Sequence, residues 1–334
     1  MGTLADAVTV LARETQFSGV VRVDRGGAVE LEQAHGLAHR AWQIPNTVDT
    51  RFGIASGTKG LTASTVMSVI ERGELELSTT ARSVLGADLP LVDDAVTVEQ
   101  LLGHRSGIGD FLDEDEHELD DYVLTAPVHE LGSTEDYLAV LDGHPQVSVP
   151  GEEFRYNNGG YAVLALIVER ATGVPFTDLV RARVCEPAGM SHTAFLRSDV
   201  LPAGAALGYL TPDADSRSNV LHLPVRGTGD GGIFTTVADV SALWTALFVG
   251  RIVSAASVAE MVRPRSAAPA ESLRYGLGFW IHESIDVVEL HGCDAGVSFR
   301  SVHDPATRLT HTVVSNTTDG AWPITRLLDR ELVG

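Results

Sequence analysis

The sequence predicts an α/β protein: an antiparallel β-sheet flanked by N- and C-terminal helices, with an inserted, mainly helical subdomain. Three observations predict it. An amphipathic helix and a β-hairpin open the chain, apolar helical stretches fill its middle, and four alternating strands followed by a helix close it. This order assigns residues 1–75 and 165–334 to a discontinuous sheet domain and residues 76–164 to the helical subdomain, with the functional site expected at their interface.

Residues 4–14 place apolar side chains at helical spacing. FSGVVRVDRGGAVELEQAHG follows, two alternating runs around Gly26-Gly27, which is the pattern of a hairpin. RFGIASGTK then leads into LTASTVMSVIERG, an apolar helix ended by Gly73, so Ser56 stands near a helix N-terminus. From about residue 76 to 150 long alternation is missing, and Thr97 to Leu102 and Thr134 to Leu141 read as helical pieces. PGEEFRYNNGGYAVLALIVERATG reads as a turn, an extended piece and a strongly apolar helix beginning near Asn157 and Asn158; a second helix is expected over Phe176 to Val184. Thr236 and Asp239 stand in capping-box spacing at the start of another. YGLGFWIHE, DVVEL, GVSFRSVHD and TRLTHTVVSN read as four strands, and TRLLDRELV as the closing helix.

With 334 residues, 44% of them apolar, the chain can bury a large core. Charged residues at 21% and a mean hydropathy of +0.09 fit neither a disordered nor a membrane protein. The most apolar stretches, Tyr161 to Val168 and Ser241 to Val249, fall short of the roughly 20 residues a bilayer-spanning helix needs. The net charge of −21 repels nucleic acid and anionic lipid, so neither is an expected partner. Cys185 and Cys293 lack CxxC spacing and read as free thiols. The first residues carry no basic side chain before Arg13 and are interrupted by Asp6, unlike a secretory signal; the expected location is cytoplasmic, with export only if a leader had been removed.

The 24 basic residues include one lysine, Lys59, and the rest are arginines. Only lysine readily loses its proton, so a lone lysine points to a position that needs a neutral amine. Its neighbours give that position a use. Ser56-Gly57-Thr58-Lys59 is an S-x-x-K tetrad at a helix entrance, where residues three apart share a face. A serine hydroxyl is a poor nucleophile until a base removes its proton, and a desolvated lysine can do so. Tyr156-Asn157-Asn158 is a Y-x-N in an extended segment, where alternate residues project to one side; a tyrosine near a cation is suited to proton transfer. In LHGCDAGVSF, Gly292 lets backbone approach a substrate and the Cys293 N–H is a candidate oxyanion donor. His291 is a candidate contact to the substrate's leaving side or carboxylate. The bland alternatives are a core tyrosine beside a helix cap and a packed or surface histidine.

These three motifs, in this order, resemble the serine β-lactamase and DD-peptidase superfamily, whose class A version carries S-x-x-K. Y-x-N points to the class C β-lactamase-like branch, which includes D-alanyl-D-alanine carboxypeptidases, D-aminopeptidases and esterases. LLGHRSGIGDF from Leu101, PGEEFRYNNGGYAVLALIVERATG from Pro150, EPAGMSHTAF from Glu186 and GDGGIFTTVADVSAL from Gly229 extend the likeness over most of the chain. The resemblance implies a β-lactamase/transpeptidase-like fold. It implies Ser56 as the acylated nucleophile, Lys59 and Tyr156 sharing proton transfer, Asn158 binding the substrate amide, and an oxyanion hole from the backbone N–H groups of Ser56 and Cys293. The third motif departs from the family, which often has Lys-Thr-Gly or His-x-Gly there. Matching Gly292 to the glycine puts Leu290 first and His291 in the middle; matching His291 to the first position puts Cys293 where glycine belongs. The former is preferred. It leaves no cation at the first position and favours esters or neutral amides over substrates bearing a carboxylate, unless Arg300 or His291 supplies the charge.

The expected function is therefore a serine hydrolase forming an acyl-enzyme on a small ester, amide or peptide, an esterase being favoured over a carboxypeptidase, D-aminopeptidase or β-lactamase. A catalytically silent binding protein of the same fold is the non-enzymatic alternative, against which the presence of Ser56, Lys59 and Tyr156 argues. No cofactor or metal is expected. Gly227 to Gly232 matches G-x-G-x-x-G but lacks the acidic residue about 20 positions on. HExxH and G-x-S-x-G are absent from the sequence. Asp110 to Asp121 packs eight acids into twelve residues and reads as a solvated loop near the site's rim.

Overall fold

A computed structural model describes residues 3–112, 122–268 and 272–333. Its principal element, among the described residues, is an antiparallel sheet of eight strands in the spatial order Ala28–His35, Gly19–Arg25, Leu309–Ser315, Val297–Asp304, Val288–Asp294, Trp280–His282, Leu273–Tyr275 and Ser266–Ala268. The hairpin β1 (Gly19–Arg25) and β2 (Ala28–His35) turns at Gly26 and Gly27, whose φ of +60° and +91° favour glycine. β1 also pairs with β12 (Leu309–Ser315), Gly19 opposite Ser315, so the two ends of the chain close on each other. The meander β10 (Val288–Asp294), β11 (Val297–Asp304) and β12 supplies the sheet's centre. β7 (Ser266–Ala268), β8 (Leu273–Tyr275) and β9 (Trp280–His282) complete one edge. Short pairs β3 (Leu37–His39) with β4 (Ile44–Pro45), and β5 (Phe52–Gly53) with β6 (Phe234–Thr235), lie outside this sheet.

Alternation sends successive side chains to opposite faces. Val21, Val23 and Val313 pack with Val8 and Ala12 of α1 (Leu4–Glu14) and with Ile324 and Leu328 of α11 (Ala321–Leu328). Thr3 caps α1 in a reciprocal box with Asp6. Val20, Val314, Leu290 and Phe299 face the larger core, built on α2 (Thr58–Glu71), α6 (Asn158–Thr172) and α9 (Val237–Phe248). Between α2 and α6 come the short helices α3 (Ala81–Leu85), α4 (Val98–Leu102) and α5 (Leu138–Leu141). After α6 follow α7 (Phe176–Val180) and α8 (Glu186–Ala188), and α10 (Ala255–Met261) follows α9. This is the expected α/β architecture.

Several local expectations are corrected. YGLGFWIHE is two strands, because the chain reverses between Tyr275 of β8 and Trp280 of β9; the alternating pattern runs straight across the turn. The helix expected over 176–184 ends at Val180 and widens into a π-turn over Arg181–Cys185. The closing helix starts at Ala321 and widens over Asp329–Val333. Thr236 caps α9 by accepting from Asp239 N, but the Asp239 carboxylate turns away to His192 N and Thr193 Oγ1. Helix α6 runs without a break through the expected 164/165 boundary. Of the acidic run, residues 113–121 lie outside the described residues.

α2 positions the site. Residues Thr58 to Val69 are all buried, so the helix is enclosed by protein rather than lying on its surface. Its buried hydroxyls are satisfied: Thr62 donates to Gly229 O at 2.7 Å, Ser64 to Gly60 O at 2.8 Å and Thr65 to Leu61 O at 2.9 Å. Gly60 permits its close approach to the sheet, since a Cβ there would lie 2.5 Å from Leu290 Cδ2.

Candidate active site

Ser56 sits in the 3₁₀ turn Ala55–Gly57 that feeds α2. Ala55, immediately before it, has φ +44°, a left-handed conformation that a side chain disfavours and that the packed turn enforces. One turn on, Lys59 is 2% exposed. Its Nζ lies 2.9 Å from Ser56 Oγ, 2.7 Å from Asn158 Oδ1 and 2.8 Å from the backbone oxygen of Asp230. The S-x-x-K expectation of contact is thus met in space.

The Y-x-N segment arrives from the other side. Asn157 caps α6, its Oδ1 accepting from Gly160 N at 2.6 Å. Asn158 comes to Lys59, with its amide nitrogen donating to Leu112 O at 3.1 Å. The Tyr156 ring centroid is 4.9 Å from Lys59 Nζ, and the ring is stacked on Trp280 at 5.8 Å and 12°. Asp110, hidden in the sequence at the head of the acidic run, accepts from Asn158 N at 2.6 Å and Gly159 N at 2.8 Å. Burial pushes its carboxyl up to about 7, against the pull of these N–H groups and of Lys59. Asp230 is raised as well, by burial, with Lys59 opposing.

Strand β10 forms the third wall. A Cβ on Gly292 would lie 2.0 Å from Ile54 O and 3.0 Å from Gly57 N, so Gly292 is where the strand crosses the serine's turn. The next residue, Cys293, is thereby brought alongside that turn. Leu290 is buried against Gly60 of α2, so the position two before that glycine is filled by an apolar side chain. His291 points to the opposite face and stacks on Trp280 at 5.8 Å and 22°. Its Nε2 bonds to Glu289 Oε2 at 2.7 Å, and Glu289 is 1% exposed. Arg300 bonds to the same carboxylate at 2.8 Å and to Asp329 at 2.5 Å. These partners hold the Glu289 carboxyl down at about 2 against the cost of burial. Arg300 is thus committed to two carboxylates.

Beside Ala55 opens a cavity of about 980 Å³, surrounding solvent included. Its walls are largely apolar, with Phe111, Leu112, Leu124, Leu196 and Leu223, and two carboxylates, Asp230 and Asp294, also line it. Neither lysine nor arginine is among the described lining residues. The Gly227 to Gly232 run is the loop that presents Asp230 O to Lys59, and it leads into β6 rather than a helix. Cys185 and Cys293 are not disulfide-bonded; burial pushes Cys185 up to about 12. Among the described residues no group of three or more His, Cys, Asp or Glu side chains is gathered to hold a metal ion, and no helix is long and apolar enough to cross a membrane. Asp110, Asp230, Trp280, Glu289 and His104 of the site's surroundings are not assigned roles by sequence; His104, Asp110 and Asp230 fall within the stretches LLGHRSGIGDF and GDGGIFTTVADVSAL that carry the resemblance, and Trp280 and Glu289 lie outside them.

The family model described as Beta-lactamase matches residues 4–333. Penicillin-binding protein 4* of Bacillus subtilis is 26% identical over 82% of this chain and 62% of its own length. Esterase EstB of Burkholderia gladioli is 33% identical over 56% of this chain and 49% of its own length. The chain thus spans about three fifths or less of the length of these curated relatives. Among solved structures, a penicillin-binding protein from Bacillus halodurans superposes with a TM-score of 0.90 at 31% identity, covering 97% of this chain and 100% of its own. A D-amino acid amidase from Ochrobactrum anthropi SV3 shares the fold, with a TM-score of 0.80 at 22% identity over 99% of this chain and 97% of its own.

Proposed function

This chain belongs to the beta-lactamase family, a family of serine-type hydrolases, and from that premise we propose that it hydrolyses esters or uncharged amides through an acyl-enzyme on Ser56. One observation carries the proposal: the only lysine of the chain lies 2.9 Å from the hydroxyl of Ser56, whose neighbour Ala55 lines a cavity. A neutral Lys59 has two N–H donors and one lone pair. In the neutral state that the proposal requires, Asn158 Oδ1 and the Asp230 backbone oxygen accept the two donors, which leaves the lone pair for the Ser56 hydroxyl 2.9 Å away.

In the proposed reaction Lys59 takes the Ser56 proton as Oγ bonds to the substrate carbonyl carbon, and the carbonyl electrons move onto oxygen. The backbone N–H groups of Ser56 and Cys293 receive that oxyanion. Collapse expels the alcohol or amine, which acquires the proton through Tyr156. Water then attacks the acyl-serine, its proton returning by the same route, and the acid leaves.

The buried Leu290 in the first position of the third motif and the commitment of Arg300 to Glu289 and Asp329 put no free cation at those two positions, which supports esters and neutral amides over substrates with a carboxylate at that end. A second reading, an amidase or aminopeptidase acting on aminoacyl substrates, is favoured by the two acidic side chains Asp230 and Asp294 that line the cavity beside Ala55, since an ionised carboxylate there attracts an ammonium group. A silent binding protein of this fold has no need of the Ser56, Lys59 and Tyr156 constellation. Intact mass after incubation with penicillins and alkyl phosphonates tests the proposal: a single adduct lost in Ser56→Ala is expected, and an adduct or full esterase activity retained in that variant overturns it.

A further inference from the structure

His104 stands apart from the residues used above, yet it holds the Tyr156 segment from three directions. Its backbone oxygen accepts from Arg155 N at 2.9 Å, and its Nδ1 accepts from Asn157 N at 3.1 Å. Between those two N–H groups lies Tyr156, whose ring is 4.4 Å from the His104 ring at 35°. Trp280 covers Tyr156 as well, so the phenol is held by two rings. The rest of the His104 ring meets Tyr161 at 4.9 Å and Tyr275 at 4.7 Å.

The chain accepts costs to place it there. His104 has φ +54°, in the left-handed region, although it is not glycine. It is 1% exposed, and its Nε2 has no hydrogen-bond partner among the described residues. A residue this strained and this buried persists only when its surroundings require it.

We propose that His104 is a positioning residue: as a neutral imidazole protonated on Nε2, it fixes Tyr156 in the orientation that serves Lys59 and Ser56. The tautomer follows from geometry, since a nitrogen that accepts from Asn157 N carries no proton, and the ring's proton is then on Nε2. Burial keeps the ring neutral, and Lys59 adds to this whenever its amine is protonated. Other side chains meet only half of the requirement. Phenylalanine supplies the flat ring without the acceptor; asparagine supplies an acceptor without the ring.

The inference rests on the proposed role of Tyr156, and a double-mutant cycle separates the two. In otherwise unaltered protein, His104→Phe and His104→Asn are expected to lower kcat roughly 10- to 100-fold on a p-nitrophenyl ester with KM nearly unchanged. In a Tyr156→Phe background, the same changes are expected to cost less than about twofold, because no hydroxyl remains to be aimed. An equal loss in both backgrounds makes His104 a merely structural residue and overturns the inference while leaving Tyr156 its role. A full-rate Tyr156→Phe variant overturns both. Nitrogen-15 NMR of histidine-labelled protein needs no His104 variant to be active. It is expected to show one imidazole as the Nε2-protonated tautomer, untitrated as pH falls through ~6.5 and missing from His104→Asn. A His104 signal that is Nδ1-protonated, or that titrates near that pH, overturns the inference even if His104→Phe fails to fold.

Discussion

Gly292 of β10 crosses the serine's turn so closely that a methyl group on it would lie 2.0 Å from the carbonyl oxygen of Ile54. The obstructing atom is backbone, which cannot rotate away as a side chain would. Gly292→Ala is therefore expected to push the strand off the turn and separate the N–H groups of Ser56 and Cys293. A displacement of about 1 Å at such a site costs on the order of 100-fold. The expected outcome is a comparable fall in kcat/KM for ester hydrolysis with the fold retained by circular dichroism. Parental activity in Gly292→Ala would show that the approach of β10 has no catalytic use.

Substrate choice should follow charge at both ends of the site. The leaving-group wall has Leu290 where a cation would meet a carboxylate, and Arg300 is held by Glu289 and Asp329. Short-chain p-nitrophenyl esters are expected to exceed nitrocefin and D-Ala-D-Ala peptides in kcat/KM. For acyl groups that enter the cavity beside Ala55, its lining residues Asp230 and Asp294 predict that one bearing a carboxylate is a worse substrate than its neutral isostere. A reversed order in either series contradicts the corresponding charge argument.

The motifs were legible because their geometry is local. Ser56 and Lys59 are three apart on a helix, and Tyr156 and Asn158 lie two apart ahead of a cap, so spacing alone places each pair on one side. Gly292 was legible because a glycine in an alternating strand marks a close backbone approach. Residues that reach the site through tertiary contact left no such trace. Glu289 sits in DVVEL as an ordinary polar alternate, and its burial depends on Arg300 of the next strand. His104 precedes an arginine in a loop, and nothing local states that it will meet Asn157 N, 53 residues on. The break between β8 and β9 was missed for a related reason: the apolar alternation continues across the turn at Gly276 and Gly278.

Stability should fall in mild acid because two histidines are buried neutral. Burial holds His303 down at about 4 and His311 down at about 3, with Arg300 adding to the second. Both folded values lie below the unfolded value of ~6.5, so the unfolded chain takes up protons first as pH drops. The stability these residues contribute is present above ~6.5 and is lost progressively as pH falls toward the folded values, about 2 kcal/mol for each by pH ~5. Denaturant titrations at pH ~7.5 and ~5 are expected to show a smaller loss for His311→Asn than for the parent. An equal loss would mean that His311 does not titrate on unfolding.

The central claim is that Lys59 acts by giving up its proton, and Lys59→Arg tests it most directly. Arginine preserves charge and approximate length but stays protonated, with a pKa above ~12. It can occupy the place of the amine beside Asn158 Oδ1 and the Asp230 oxygen, yet it cannot accept the Ser56 proton. General-base assistance is worth roughly 10²- to 10⁴-fold. The measurement is the pre-steady-state acylation rate of Lys59→Arg on a p-nitrophenyl ester, beside Lys59→Ala, with melting temperatures taken on both. The account predicts a folded Lys59→Arg protein at least ~100-fold slower than the parent and close to Lys59→Ala. Recovery in Lys59→Arg of most of the activity missing from Lys59→Ala would contradict it, leaving Lys59 an electrostatic support and proton abstraction to Tyr156.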